Sequence, residues 1–237
     1  MTPILRSLAI LLLPLALAGC AAPQAANRAP APPLAQRSLD TFPAPALSSR
    51  TYVAIGASDT VGYGVPDPGT QGWVPRVAAS LPAGSRLVNL GVGGITLHRA
   101  LAVDLPVALD AHPTLVTVWL AVNDLLAGVP LDSYRADLHT LLTALHAAHA
   151  RVLVGNLSDL SLVPPAVERL GADPAATIAT WNAAIAAEAQ AAGATLVDIH
   201  GGWQELANHP EYVGPDGLHP SVEGYARLAA LFTASLP

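Results

Sequence analysis

An α/β fold, a five-stranded parallel sheet flanked by helices, is predicted by three features of the sequence. Short runs rich in valine, leucine and threonine alternate with longer alanine-rich stretches, the order in which each strand feeds a helix that returns to the next strand. The short runs are apolar on successive positions, as strands covered on both faces should be. A chain of 237 residues, 52% hydrophobic and 12% charged, has ample core for one domain and little room for two.

Residues 1–19 read as a leader. Arg6 is followed by eleven residues, Leu8 to Ala18, that are apolar but for Pro14. That suits a secretory apolar region of about 7 to 15 residues and falls short of the roughly 20 needed to cross a membrane. Leu17-Ala18-Gly19-Cys20 resembles the lipobox of bacterial lipoproteins, and Cys20 is the single cysteine of the chain. Cleavage before Cys20 and acylation there would hold the protein to a membrane of the bacterial cell envelope, outside the cytoplasm. Residues 20–49 are then the lipidated cysteine and a tether, since Ala21 to Leu47 holds nine alanines and six prolines in 27 residues without apolar periodicity.

The folded part is expected over residues 50–237. Its strands are Thr51 to Ile55, Leu87 to Leu90, Leu115 to Leu120, Val152 to Gly155 and Thr195 to Ile199. Helix-length stretches lie between and after them: Trp73 to Leu81, Thr96 to Asp110, Leu131 to Ala150, Ala175 to Ala192 and, after Pro220-Ser221, Val222 to Leu236. Asn156 to Pro174, rich in proline, serine and aspartate, is too long for a simple connection and is expected to be a substrate-side loop or a short helical lid.

Composition removes several function classes. A formal charge of −6 gathers no phosphates, which argues against nucleic acid as a partner. One cysteine excludes a disulfide framework, a CxxC redox pair and a multi-cysteine zinc site. The glycines at 91, 93 and 94 do not form G-x-G-x-x-G, and a chain without lysine has no P-loop, so dinucleotide and nucleotide readings drop out. His139, His146 and His149 share a helix face, yet no carboxylate joins them within the helix at ligand spacing, and a solvated face explains them. Neither a metal nor an organic cofactor is expected. Asp104, Asp110 and Asp198 read as solvated or capping groups.

In open parallel sheets, ligands bind outside the carboxyl ends of the strands. Those ends supply Gly56-Ala57-Ser58-Asp59-Thr60, Asn89-Leu90-Gly91-Val92-Gly93-Gly94, Asn123-Asp124 and Asp216-Gly217-Leu218-His219-Pro220. A hydroxyl, a glycine turn, an amide and an Asp/His pair are the parts of serine-based acyl transfer. In Asp216-x-x-His219 the carboxylate reaches the near ring nitrogen and leaves the far one for Ser58. Gly56 to Thr60 lacks the second glycine of G-x-S-x-G, which argues against an ordinary α/β-hydrolase.

With these four blocks in this order, the chain resembles the SGNH or GDSL hydrolase superfamily from about Tyr52 to Pro220. The resemblance implies a three-layer α/β/α sandwich, flavodoxin-like, around a five-stranded parallel sheet. It implies Ser58 as nucleophile, Gly94 as backbone donor, Asn123 as side-chain donor, and His219 with Asp216 as base and partner. Two positions depart from the family pattern: Ala57 stands where aspartate usually precedes the serine, and Ala121 where a glycine precedes the asparagine. Asp59 is expected to compensate for Ala57 in fixing the turn.

The implied activity is cleavage of a small-molecule or lipid acyl ester by an esterase or lipase. Leu157, Leu160, Leu162 and Val163 give the long loop an apolar lining that leans toward acyl chains. Among the tryptophans at 73, 119, 181 and 203, all expected in core or pocket wall, Trp73 is placed at the acyl site because it follows the nucleophile loop. The other readings are an envelope polysaccharide O-acetylesterase of the same fold and, prompted by Ala57 and Ala121, a tethered binding protein without activity.

Overall fold

The computed structural model describes residues 48–236. The leader, Cys20 and nearly all of the tether lie outside the described residues. In chain order the elements are β1 (Thr51–Gly56), α1 (Ser58–Val61), α2 (Pro68–Gln71), α3 (Trp73–Ala79), β2 (Arg86–Gly91), α4 (Leu97–Asp110), β3 (Leu115–Trp119), α5 (Val122–Leu126), α6 (Leu131–Ala147), β4 (Arg151–Gly155), α7 (Pro164–Val167), α8 (Pro174–Ala191), β5 (Thr195–Val197), α9 (Ile199–Gly202) and α10 (Val222–Ala234). Short 3-10 turns occupy Leu160–Leu162, Gln204–Asn208 and Pro210–Tyr212.

All neighbouring strands pair in parallel, in the order β2-β1-β3-β4-β5, so the predicted three-layer α/β/α sandwich is the fold. The strand period of two sorts the core into two halves. Val53, Ile55, Val116, Val118, Val152 and Val154 point to one side, where α4, α6 and α8 cover them with residues such as Leu97, Leu138, Leu142 and Ile185. Tyr52, Ala54, Leu115, Trp119, Leu153 and Val197 point to the other, against Trp73 and Val77 of α3 and Tyr225, Leu228 and Phe232 of α10. Trp73 stacks on Phe232 with centroids 4.3 Å apart, joining α3 to α10. Truncating a fully buried aromatic such as Phe232 to alanine costs about 3–5 kcal/mol.

The predicted strands and long helices are present with ends shifted by one to three residues, and two readings need correction. Strands β2 and β5 are not buried on both faces: they are the two edges of the sheet, β2 with no buried residue and β5 with Val197 alone buried. Asp104 is not solvated. It lies on the buried stripe of α4 with Leu97, Ala100 and Ala108, 5% exposed. Asp198 does cap α9, accepting from Gly201 N–H, and Asp110 is exposed. No helix among the described residues is long and apolar enough to cross a membrane.

The chain runs from β1 outward to β2 and then back across to β3, so the crevice between β1 and β3 opens at their carboxyl ends, where such sheets bind ligands.

Candidate active site

Ser58 begins α1 directly beyond β1. Amides of Gly62 and Tyr63 donate to the Ser58 carbonyl, and those of Thr60 and Val61 to the Ala57 carbonyl, closing a tight turn. Asn89 ties this turn to β2: its Nδ2 donates to Thr60 O at 2.8 Å while its Oδ1 accepts from Gly91 N–H at 2.9 Å. Gly91 permits this approach, because a Cβ there would lie 2.7 Å from Val61 N. Ala57 packs on the core, and Asp59 makes no hydrogen bond through its carboxylate among the described residues. The expected compensation by Asp59 is therefore corrected: backbone bonds and Asn89 hold the turn.

His219 arrives from the loop ahead of α10. Its Nε2 lies 3.0 Å from Ser58 Oγ and its Nδ1 lies 2.6 Å from Asp216 Oδ2. The other carboxylate oxygen of Asp216 accepts from Leu218 N–H at 3.0 Å and His219 N–H at 2.9 Å. Burial pushes the Asp216 carboxyl up, but the hydrogen bonds from the His219 ring and these two amides outweigh it and hold it below its ordinary value. An ionised Asp216 fixes the proton on Nδ1, which leaves the Nε2 lone pair facing the serine hydroxyl. The loop is closed at its base by an antiparallel bridge between Val213 and Pro220, with Gly214 N–H donating to His219 O at 2.7 Å. The Tyr63 ring rests on the imidazole, centroids 4.6 Å apart.

Three residues with donors to spare, Ser58, Gly94 and Asn123, line the cavity that holds the Ser58 hydroxyl. The amides of Ser58 and Gly94 have no acceptor among the described residues, and Gly94 holds a left-handed φ of 75° that glycine adopts without strain. Asn123, in the first turn of α5, donates through Nδ2 to Ile95 O at 2.8 Å, which orients the amide and leaves its second N–H available. Asp124, next in sequence, is buried and accepts from Leu97 N–H with both oxygens at 3.0 and 3.1 Å, fixing α5 to the start of α4. Burial raises its carboxyl to about 6 against the opposing pull of that amide.

Ser58, His219, Gly94 and Asn123 line a cavity of about 370 Å³. Its walls are apolar, with Trp119, Leu126, Leu160, Val163, Trp203 and Val213. A second cavity of about 340 Å³ adjoins it, sharing Gly94, Asn123, Leu126 and Leu218.

The structure thus brings Ser58, His219, Asp216, Gly94 and Asn123 together, with Leu160 on the wall. Two expected lining residues are elsewhere. Trp73 is fully buried behind Trp119, edge-on at 6.2 Å. Leu157 is also fully buried, because Asn182 pairs with both its N–H and its C=O and draws it against α8. Trp119 and Trp203 are the wall tryptophans. Trp119 sits at the carboxyl end of β3, a position that marks it in the sequence, and its Nε1 donates to Asn156 O at 3.0 Å. Asn89, within β2, and Asp124, within α5, stand in the strand-end blocks of the sequence, but their structural roles, tying the α1 turn to β2 and α5 to α4, are not legible there.

His139 Nδ1 lies 3.2 Å from Glu188 Oε2, and Arg135 donates to the same carboxylate. Among the described residues, no group of three or more histidine, cysteine, aspartate or glutamate side chains is placed to hold a metal ion.

The model of the GDSL-like lipase/acylhydrolase family matches residues 54–227. Among solved structures the chain is similar to TesA at 26% identity and a TM-score of 0.62, covering 76% of this chain and 94% of that one. It is similar to the psychrotrophic esterase EstA from Pseudoalteromonas sp. at 20% identity and a TM-score of 0.62, covering 78% and 95%. It is also similar to Axe2, an acetylxylan esterase from Geobacillus stearothermophilus, at 21% identity and a TM-score of 0.65, covering 79% and 94%. No curated protein matches the chain.

Proposed function

The chain belongs to the GDSL-like lipase/acylhydrolase family, and from that membership we propose that it hydrolyses carboxylic acyl esters through Ser58. The observation that carries this reading is the continuous chain Ser58 Oγ, His219 Nε2, His219 Nδ1, Asp216 Oδ2, with contacts of 3.0 and 2.6 Å.

His219 Nε2 takes the Ser58 proton as Oγ attacks the ester carbonyl carbon. The oxyanion receives hydrogen bonds from the amides of Ser58 and Gly94 and from Asn123 Nδ2. The imidazolium then protonates the departing alcohol, leaving an acyl group on Ser58. Water, deprotonated by His219, attacks that acyl carbon, and the collapse releases the carboxylic acid and restores the serine. Asp216 keeps the ring in the tautomer each step requires.

The apolar walls, with Leu160, Val163, Trp119 and Trp203, favour an acyl chain in the larger cavity. We infer further that Cys20 carries a lipid anchor that places the domain at an envelope membrane, on the strength of Leu17-Ala18-Gly19-Cys20. Radiolabelled acyl incorporation by the parent and not by Cys20→Ser is the expected result; absence from both overturns the anchor.

The activity is tested with p-nitrophenyl esters from acetate to palmitate, using the full chain and Ser58→Ala. Hydrolysis that disappears in the variant is expected. If no ester turns over and a fluorophosphonate fails to label Ser58, the esterase reading is wrong and the binding-protein reading takes its place.

A further inference from the structure

Asp59 is a carboxylate in an unusual place. It follows the nucleophile in the first turn of α1 and lines the same cavity as Ser58 and His219, the one acidic side chain among the described lining residues. It has no hydrogen-bond donor among the described residues. Asp59 is half-buried beside apolar walls, so an unpaired negative charge here is less well solvated than on the open surface. The groups nearest it are His219 and Asp216 from the loop ahead of α10, Tyr225 from α10 and Tyr63 just beyond α1. The Tyr225 hydroxyl is committed to Tyr63 O at 2.8 Å. Asp216 repels Asp59, and His219 alone among these groups can become positive.

A charge placed this way gains its partner only when the imidazolium forms, which is when the proton has left Ser58 or the attacking water. Interactions that strengthen only in the transition state are those that accelerate a reaction. We propose that Asp59 is a positioning residue that acts through His219, so that the imidazolium is stabilised by two carboxylates, Asp216 through Nδ1 and Asp59 through space. No additional proton transfer is involved: the serine proton moves to Nε2 and on to the leaving alcohol as before.

Burial pushes the Asp59 carboxyl up to about 6, with His219 opposing and Asp216 adding to the rise. Its charge is therefore present at neutral pH and is lost as pH falls through about 6. This inference rests on the esterase reading for its kinetic consequence and on the geometry alone for its effect on the histidine ring.

The test uses the full chain with Asp59→Asn and Asp59→Glu, and Asp59→Ser as a second neutral variant should the first fold poorly. NMR titration of the His219 ring is expected to move to lower pH by about one unit in the neutral variants and to stay near the parent in Asp59→Glu. The acid limb of kcat/KM on p-nitrophenyl acetate should move the same way, with kcat down about tenfold. A His219 titration unchanged by Asp59→Asn and Asp59→Ser overturns the proposal, as does an altered KM with an unmoved acid limb, which would place Asp59 on the substrate. If no ester is hydrolysed, the esterase reading fails while the ring titration still decides the role of Asp59.

Discussion

Asn123 is held by the backbone of a different strand's loop: its Nδ2 donates to the Ile95 carbonyl at 2.8 Å. One N–H is spent on orientation so that the other is aimed before any substrate arrives, which is the condition for an effective oxyanion donor. Asn123→Ala should lower kcat by about a hundred-fold with little change in KM, read by steady-state kinetics on p-nitrophenyl acetate. Unaltered kcat would remove Asn123 from the oxyanion site.

Gly91→Ala should displace α1, since the new Cβ would press on Val61 N at 2.7 Å and Thr60 C at 2.8 Å, both backbone atoms. Activity should fall at least tenfold while the fold, read by circular dichroism, is kept. Full activity would show that α1 has room to retreat.

Asp216→Asn removes the acceptor that fixes the His219 proton on Nδ1. The ring is then free to present Nε2–H to Ser58, the wrong tautomer for a base, and kcat should drop by about a hundred-fold or more.

Leu160→Trp narrows the larger cavity from its apolar side. The chain-length optimum on the ester series should shift to shorter acids, with acetate turnover kept within about twofold of the parent. An unchanged optimum would mean that the acyl chain lies in the adjoining cavity.

Asp104→Asn should stabilise the protein at alkaline pH. The Asp104 Oδ2 is buried without a partner among the described residues, and burial raises its carboxyl to about 6. The folded state holds its proton between the ordinary value of 3.8 and about 6, where the unfolded chain has released it. Stability therefore falls as pH rises through that window. A Tm gain of about 3 °C at pH 8 that vanishes near pH 4 is expected by calorimetry.

Much of this was legible in the sequence because parallel strands covered on both faces leave continuous apolar runs, and because Ser58, Asn123 and the Asp216/His219 pair stand just past strand ends or ahead of a capped helix. The short helices α1, α5 and α9, of four or five residues, leave no period to read. Trp73 was misplaced by its closeness to Ser58 in sequence, whereas the first turn of α3 turns it into the core. Asp104 had a signal that went unused: Leu97, Ala100, Asp104 and Ala108 fall at helical spacing on one stripe. Asp59 could be noticed as a residue type, but nothing in a sequence tells that its neighbours leave it unpaired.

The loop that carries Asp216 and His219 is closed by its own bridge between Val213 and Pro220, whereas Ser58 begins α1 directly beyond β1. Base and carboxylate are therefore carried by one closed loop, and the 3.0 Å contact between His219 Nε2 and Ser58 Oγ joins that loop to the nucleophile turn. Mild heat or denaturant should part that contact before the sheet melts, so inactivation should run ahead of unfolding and reverse without refolding of the sheet.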